Sequence, residues 1–194
     1  ELQSATEIVV AGETMAAMFW NAVAQRGATV WLREKKLGIW RSWSWSDVGD
    51  AVAEIAGGLL SLGLAHGQVV SILSNTVIEW VLSDLAVLSC GGVANGIYPT
   101  DAPEQVHYLC ADSRTRFLFV EDDEQLDKVL EVREQLPLLS RIIVFDMEGL
   151  HDLDDAQVLS LDALRDLGRA WNKAYPGVLQ ERVAACTPQD LAIL

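Results

Sequence analysis

The sequence predicts an α/β protein: a mostly parallel sheet with helices on both faces. Three observations predict it. Continuous apolar runs at 69–73, 93–97, 116–120, 141–145 and 191–194 have the composition of strands buried on both sides. Helical patterns alternate with the first four of these runs, as strand–helix–strand units with right-handed crossovers require. No stretch rich in Gly, Pro or Ser divides the 194 residues, so residues 1–194 read as a single α/β segment.

Each element follows from local chemistry. Thr14 caps a helix that runs to about Arg26 and stops at Gly27. The stretch "VWLREKKLGIWRSWSW" then reads as a hairpin. Trp31, Trp40, Trp43 and Trp45 lie in β-favouring runs and "KKLG" supplies the turn. Ser46 is positioned to cap the next helix, where Val48, Val52, Ile55, Leu59 and Leu62 recur at helical spacing before Gly63. After strand 69–73, Asn75 is positioned to cap "TVIEWVLSDLAVLSC", and Gly91-Gly92 closes that helix. Strand 93–97 leads to "APEQVHYLCADS", a helix with Pro103 in its first turn. Strand 116–120 is followed by the helix "DEQLDKVLEVREQL" and strand 141–145. "DMEGLHDLDDAQ" reads as an acidic loop, "SLDALRDLGRAWNKAYP" as a helix capped by Ser160, and "GVLQERVAAC" as one more helix. "TPQD" reads as a turn before the terminal strand "LAIL".

Composition narrows the function classes. Hydrophobic residues make up 51% and charged residues 22%, which fits a packed globular chain. The net charge is −14 and the pI about 4.4. Nucleic acid is therefore not expected as a partner, because phosphate backbones require clustered Lys and Arg. No apolar run reaches the roughly 18 residues of a membrane span. The start "ELQSATEIVVAGET" lacks the basic region of a signal peptide. Glu1 in place of Met leads to the expectation that the natural start is missing or trimmed. Cys90, Cys110 and Cys186 have no metal-ligand spacing and read as reduced core cysteines, as in a cytoplasmic protein.

No set of residues completes a catalytic arrangement. His66 reads as a solvated loop residue. His107 has Asp101 and Glu104 nearby but no nucleophile. His151, with Glu148, Asp152, Asp154 and Asp155, lacks the spacing of a calcium loop. Glu121-Asp122-Asp123-Glu124 follows a strand end, where ligands bind in open parallel sheets, but carboxylates there also complement a helix dipole. Gly57-Gly58 lies inside a helical pattern and reads as a close helix contact. Gly91 and Gly92 precede a strand, whereas a phosphate-binding glycine loop lies between strand and helix. The tryptophans read as packing groups ahead of a base or sugar platform. Catalytic, cofactor-binding and metal residues are accordingly all assigned as none.

Three stretches together carry a resemblance. "SWSWSDVGDAVAEIAGGLLSLGLAHGQVVSILSNTVIEWVLSDLAVLSCGGVANGIYPTDAPEQVHYLCADSRTRFLFVED" (42–122) resembles the N-terminal part of the adenylate-forming, AMP-binding acyl-CoA synthetase superfamily. The matching steps are "WSWSDV", "LLSLGL", Gly67-Gln68-Val69-Val70, Asn75, "LAVLSCGGVANGIY" and Pro99. "GIYPTDAPEQVHYLCADS" looks like the branch that activates long-chain fatty acids. "TPQDLAIL" is similar to the strand that leads into the family's phosphate-gripping loop. One departure is visible: Gln68 and Val70 stand where Asp and Arg are common, which puts a local surface ion pair in doubt.

The resemblance implies the N-terminal portion of a larger AMP-binding domain, ending just before its phosphate loop. It implies a parent ligase that uses ATP, CoA and Mg2+. Fatty carboxylate attacks the α-phosphorus to give acyl-adenylate and pyrophosphate, and CoA thiolate then displaces AMP. The groups credited with that chemistry lie beyond Leu194, so the segment alone is expected to be inactive and to bind none of these cofactors. A fatty acid is the implied substrate of the parent. Self-association through the exposed terminal strand is expected, as is a cytoplasmic location with room for peripheral membrane contact. The alternative from a different class is a non-catalytic interaction or oligomerisation domain of the same fold.

Overall fold

A computed structural model describes residues 12–194. The stretch read for a leader lies, up to residue 11, outside the described residues. The chain folds as α1 (Met15–Arg26), β1 (Val30–Lys36), β2 (Ile39–Ser44), α2 (Trp45–Ser61), β3 (Val69–Leu73), α3 (Ile78–Ser89), β4 (Val93–Ile97), α4 (Pro103–Asp112), β5 (Phe117–Val120), α5 (Asp123–Val132), β6 (Arg141–Val144), β7 (Val158–Ser160), α6 (Leu161–Ala174) and α7 (Val178–Ala185). Strands β4-β3-β5-β6-β7 form one parallel sheet, and β1-β2 is a separate antiparallel hairpin.

The period-2 alternation of side chains divides two cores between the sheet faces. Val70, Ile72, Phe117, Phe119 and Ile143 pack with buried residues of α1, α2, α3, α6 and α7. Leu73, Ile97, Leu118, Val120, Ile142 and Val144 pack with α4 and α5. Helices thus cover both faces, as expected from the uninterrupted apolar strands. None of the described helices is long and apolar enough to cross a membrane.

The α2–α6 crossing is the closest helix contact. A Cβ on Gly57 would stand 2.5 Å from Asn172 Oδ1, and one on Gly58 or Gly168 would fall on the Leu164 or Glu54 carbonyl. Asn172 Nδ2 donates to the Ala53 carbonyl at 2.8 Å, and Glu54 accepts from Arg165 and Arg169 on the rim of the contact. The close-packing reading of Gly57-Gly58 holds, with Gly168 as the partner that the sequence did not single out.

Several boundaries differ from expectation. Ser44, not Ser46, caps α2: its Oγ accepts from Asp47 N at 3.1 Å, while Asp47 Oδ2 accepts from Ser44 N at 2.8 Å. This reciprocal box satisfies two orphan donors, which a cap at Ser46 would not. Asn75 does not cap α3, whose N-cap is Val77 with no side-chain bond, because Asn75 is held by Glu121. The helix expected over 123–136 ends at Val132 and tightens into a 3₁₀ turn, Arg133–Gln135, before Pro137. Strand β7 was not expected; three residues are too short for a periodic signal. The terminal strand expected over 191–194 is a single parallel bridge, Ala94 to Ile193, with Ala94 N donating to Ala192 O and Leu194 N to Ala94 O, both at 2.9 Å. At the head of β3, Gln68 Oε1 closes the turn by accepting from Ala65 N at 2.9 Å. Val70 is fully buried.

Candidate functional site

The strand order places β3 first, β4 on one side of it, and β5 on the other. The chain therefore reverses its winding direction between β3 and β5. Ligands in open α/β sheets bind outside the carboxyl ends of the strands at such a switch point. Here those ends are Ser74-Asn75 after β3 and Glu121-Asp122 after β5.

A polar clasp fills the switch point. Glu121 Oε2 accepts from Asn75 N at 2.6 Å, Asn75 Nδ2 at 3.0 Å and Ser74 Oγ at 3.2 Å. The sheet backbone continues the link, because Glu121 N donates to Leu73 O and Asp146 N to Glu121 O. Asp122 turns away and caps α5 by accepting from Gln125 N at 3.1 Å, with Asp123 and Glu124 in the first helical turn. The acidic run thus divides. Three carboxylates complement the α5 dipole, as read from the sequence, and Glu121 instead ties two strand ends together. No local pattern signals this pairing, since Asn75 and Glu121 are 46 residues apart.

Beside the clasp, a crevice of about 290 Å³ opens between the ends of β3 and β4, lined by Ser74, Asn75, Thr76, Trp80, Gly96, Ile97, Tyr98 and Pro99. Tyr98 projects from it, 76% exposed. Lys128, on α5, braces Pro99 at the crevice edge, its Nζ donating to Pro99 O at 2.6 Å and Gln125 Oε1 at 2.9 Å, with Glu124 at 3.5 Å. These residues do not fit a nucleotide triphosphate by themselves. The rim carries the Glu121 and Asp122 carboxylates, the Lys128 ammonium is engaged, and the strand-to-helix turn Ser74-Asn75-Thr76-Val77 lacks the glycines of a phosphate loop. What the rim does is fix the geometry of two strand ends.

The other candidates fall outside this rim. His66 packs on Gly91, where any Cβ would collide with its ring, and its Nε2 stands 3.4 Å from Asp190 Oδ1. It is a tether for the terminal turn rather than a free loop residue. That turn is closed by Asp190 accepting from Thr187 N at 2.7 Å, which with His66 holds the Asp190 carboxyl below its ordinary range. His107 is half-buried on α4 and His151 is exposed, and the described residues contain no group of three or more metal-ligating side chains. Cys90, Cys110 and Cys186 are free thiols. Burial pushes Cys110 up to about 11 and raises Cys90 and Cys186 as well, so none is an activated nucleophile. The tryptophans mostly pack. Trp31 stacks on Trp45 with centroids 3.9 Å apart, and Trp20 Nε1 donates to Ser89 Oγ at 3.0 Å. Trp40 is the exception and stands 65% exposed.

The model of the AMP-binding enzyme family matches residues 16–194. The chain belongs to the AMP-binding enzyme family. Among curated relatives, this AMP-binding chain is 29% identical to the long-chain-fatty-acid–CoA ligase ACSBG1 of Homo sapiens over 155 residues, 80% of the chain and 21% of that protein. It is 31% identical to the long-chain-fatty-acid–CoA ligase FadD15 of Mycobacterium tuberculosis over 157 residues, 81% of the chain and 24% of that protein. Among solved structures, the anthranilate CoA ligase AuaEII in complex with anthranoyl-AMP superposes with a TM-score of 0.69 at 22% identity, over 84% of this chain and 29% of the other. The AMP-binding chain thus spans about a fifth to a quarter of the length of the curated relatives it matches.

Proposed function

We propose that this chain is part of an ATP-dependent long-chain fatty acid–CoA ligase and supplies the first α/β layer of its AMP-binding domain. The observation that carries the reading is the pairing of the family match with long-chain ligases at about 30% identity over four-fifths of the chain. The layer's part is positional. The Glu121 clasp holds the β3 and β5 ends rigid, so that groups supplied from outside these residues meet a preorganised rim. ATP, CoA and Mg2+ serve the whole protein, and the grip on phosphate is assigned to elements outside this segment. The 194 residues alone are inactive. They self-associate through the face around Leu191, Ile193 and Leu194, each more than half exposed. The protein works in the cytoplasm.

The test is palmitoyl-CoA formation from palmitate, ATP and CoA, by the whole protein and by the 194-residue chain. The whole protein is expected to turn over at about 1 per second or faster. The chain alone is expected to fall at least about 10²-fold below it, as loss of phosphate-stabilising groups predicts. Turnover by the chain alone overturns the positional role. A whole protein that forms no acyl-CoA assigns the fold to an interaction domain. Sedimentation of the chain at several concentrations reads the association, and a constant monomer mass overturns it.

A further inference from the structure

We propose that the β1–β2 hairpin docks the protein on an anionic lipid bilayer, its tip entering the headgroup layer. This stands independently of the ligase reading. Three observations converge on it. The first is strain at the tip. Leu37 and Gly38 form the turn with φ of +50° and +80°. A two-residue turn with both φ positive calls for Asn-Gly or Gly-Gly, and an L side chain at the first position is disfavoured by roughly 1–2 kcal/mol. Leucine occupies it nonetheless and is 95% exposed. Among the described residues no fold contact of its side chain accounts for the choice, and outliers of this kind cluster at functional sites.

The second observation is the surround. Ile39 is 67% and Trp40 65% exposed, one on each face of the hairpin beside Leu37, so the tip is apolar on both sides. Trp beside Leu and Ile is the composition that partitions into a membrane interface.

The third is charge. Arg33, Lys35, Lys36 and Arg41 flank this tip, in register as Lys35–Trp40 and Lys36–Ile39 pairs. Glu34, the single carboxylate of the hairpin, is turned to Trp43 Nε1 at 3.3 Å. Among the described residues none of the four cations has an ion pair. Lys35 Nζ lies 5.9 Å from the Trp40 ring centroid, so the cation and the aromatic face present together. A chain of net charge −14 thus concentrates four of its 14 cations around one exposed apolar point. The net negative charge does not forbid approach, because exposed charges more than about 8 Å apart are screened at physiological salt. A bilayer containing phosphatidylserine answers both halves of the patch: phosphates for the cations and an apolar boundary for Leu37, Ile39 and Trp40. Soluble polyanions answer only the first.

The test is co-sedimentation of the 194-residue chain with phosphatidylcholine vesicles, with and without phosphatidylserine. Binding is expected only to the anionic vesicles and to weaken with salt. Leu37→Gly with Trp40→Ser is expected to lower partitioning about tenfold or more. Lys35→Gln with Lys36→Gln should lower it about fivefold for each cation. Both pairs are at exposed positions, and circular dichroism verifies that the fold persists. Absence of binding by the unsubstituted chain overturns the proposal. So does binding that the Leu37/Trp40 pair leaves unchanged. Heparin binding lost with the lysines and indifferent to Leu37 and Trp40, alongside the same pattern on vesicles, reassigns the hairpin to soluble polyanions.

Discussion

At the α2–α6 crossing, three glycines stand where any side chain would collide. At the β1–β2 turn, a leucine stands where glycine would be unstrained. The crossing is closely opposed, and its glycines give up conformational freedom in the unfolded chain so that two backbones can touch. The turn has open space around it and accepts strain with no packing in return. Where strain or lost entropy is matched by contacts, it serves the fold. Where it is not, it points to a partner outside the chain.

The largest effect that sharpens this contrast is expected at the crossing. Gly168→Ala places a methyl on the Glu54 carbonyl and must push α2 and α6 apart, at a cost of about 3 kcal/mol or more. Urea unfolding reads it, and a loss below about 0.5 kcal/mol would show the contact to be plastic.

An intermediate case lies on α3. Asp84 is half-buried, its Oδ1 has no hydrogen-bond partner among the described residues, and burial pushes its carboxyl up to about 6 from 3.8. The folded state therefore binds this proton more tightly than the unfolded chain does. The resulting stability is fully present below the ordinary carboxylate range and is lost as pH rises through about 6. Asp84→Asn is expected to raise stability by about 1 kcal/mol near neutral pH and to change little near pH 4. Unfolding midpoints at the two pH values check it, and an equal effect at both would remove desolvation of the charge as the cause.

The smallest effect is expected at the turn and has the opposite sign to the first. Leu37→Gly relieves roughly 1–2 kcal/mol of left-handed strain and adds roughly 0.5–1 kcal/mol of unfolded-state entropy, for a net gain of about 0.5 kcal/mol. A higher thermal midpoint together with weaker vesicle binding would separate the two roles of the position. A destabilised Leu37→Gly protein would mean that Leu37 serves the fold after all.

The sequence by itself determined the layers. Uninterrupted apolar strands alternating with helices admit only a sheet covered on both faces, and the caps at Thr14 and Ser160, Pro103 in the first turn of α4 and the stop at Gly27 are local devices readable within four residues. It also carried the family, through steps such as "WSWSDV" and "LLSLGL" spread over some 80 residues. Tertiary structure alone decided what depends on pairs distant in the chain. Glu121 holds Asn75 instead of capping α5, and so Asn75 does not cap α3. Gly168 meets Glu54 across 114 positions, and β7 exists as a strand because β6 offers an unpaired edge. The terminal residues make one bridge to Ala94 rather than a strand. The physical reason is the same in each case. A cap or a periodic face is set by neighbours that the chain carries along with it, whereas a clasp, a helix crossing or a sheet edge is set by which segments the finished fold brings within hydrogen-bonding distance.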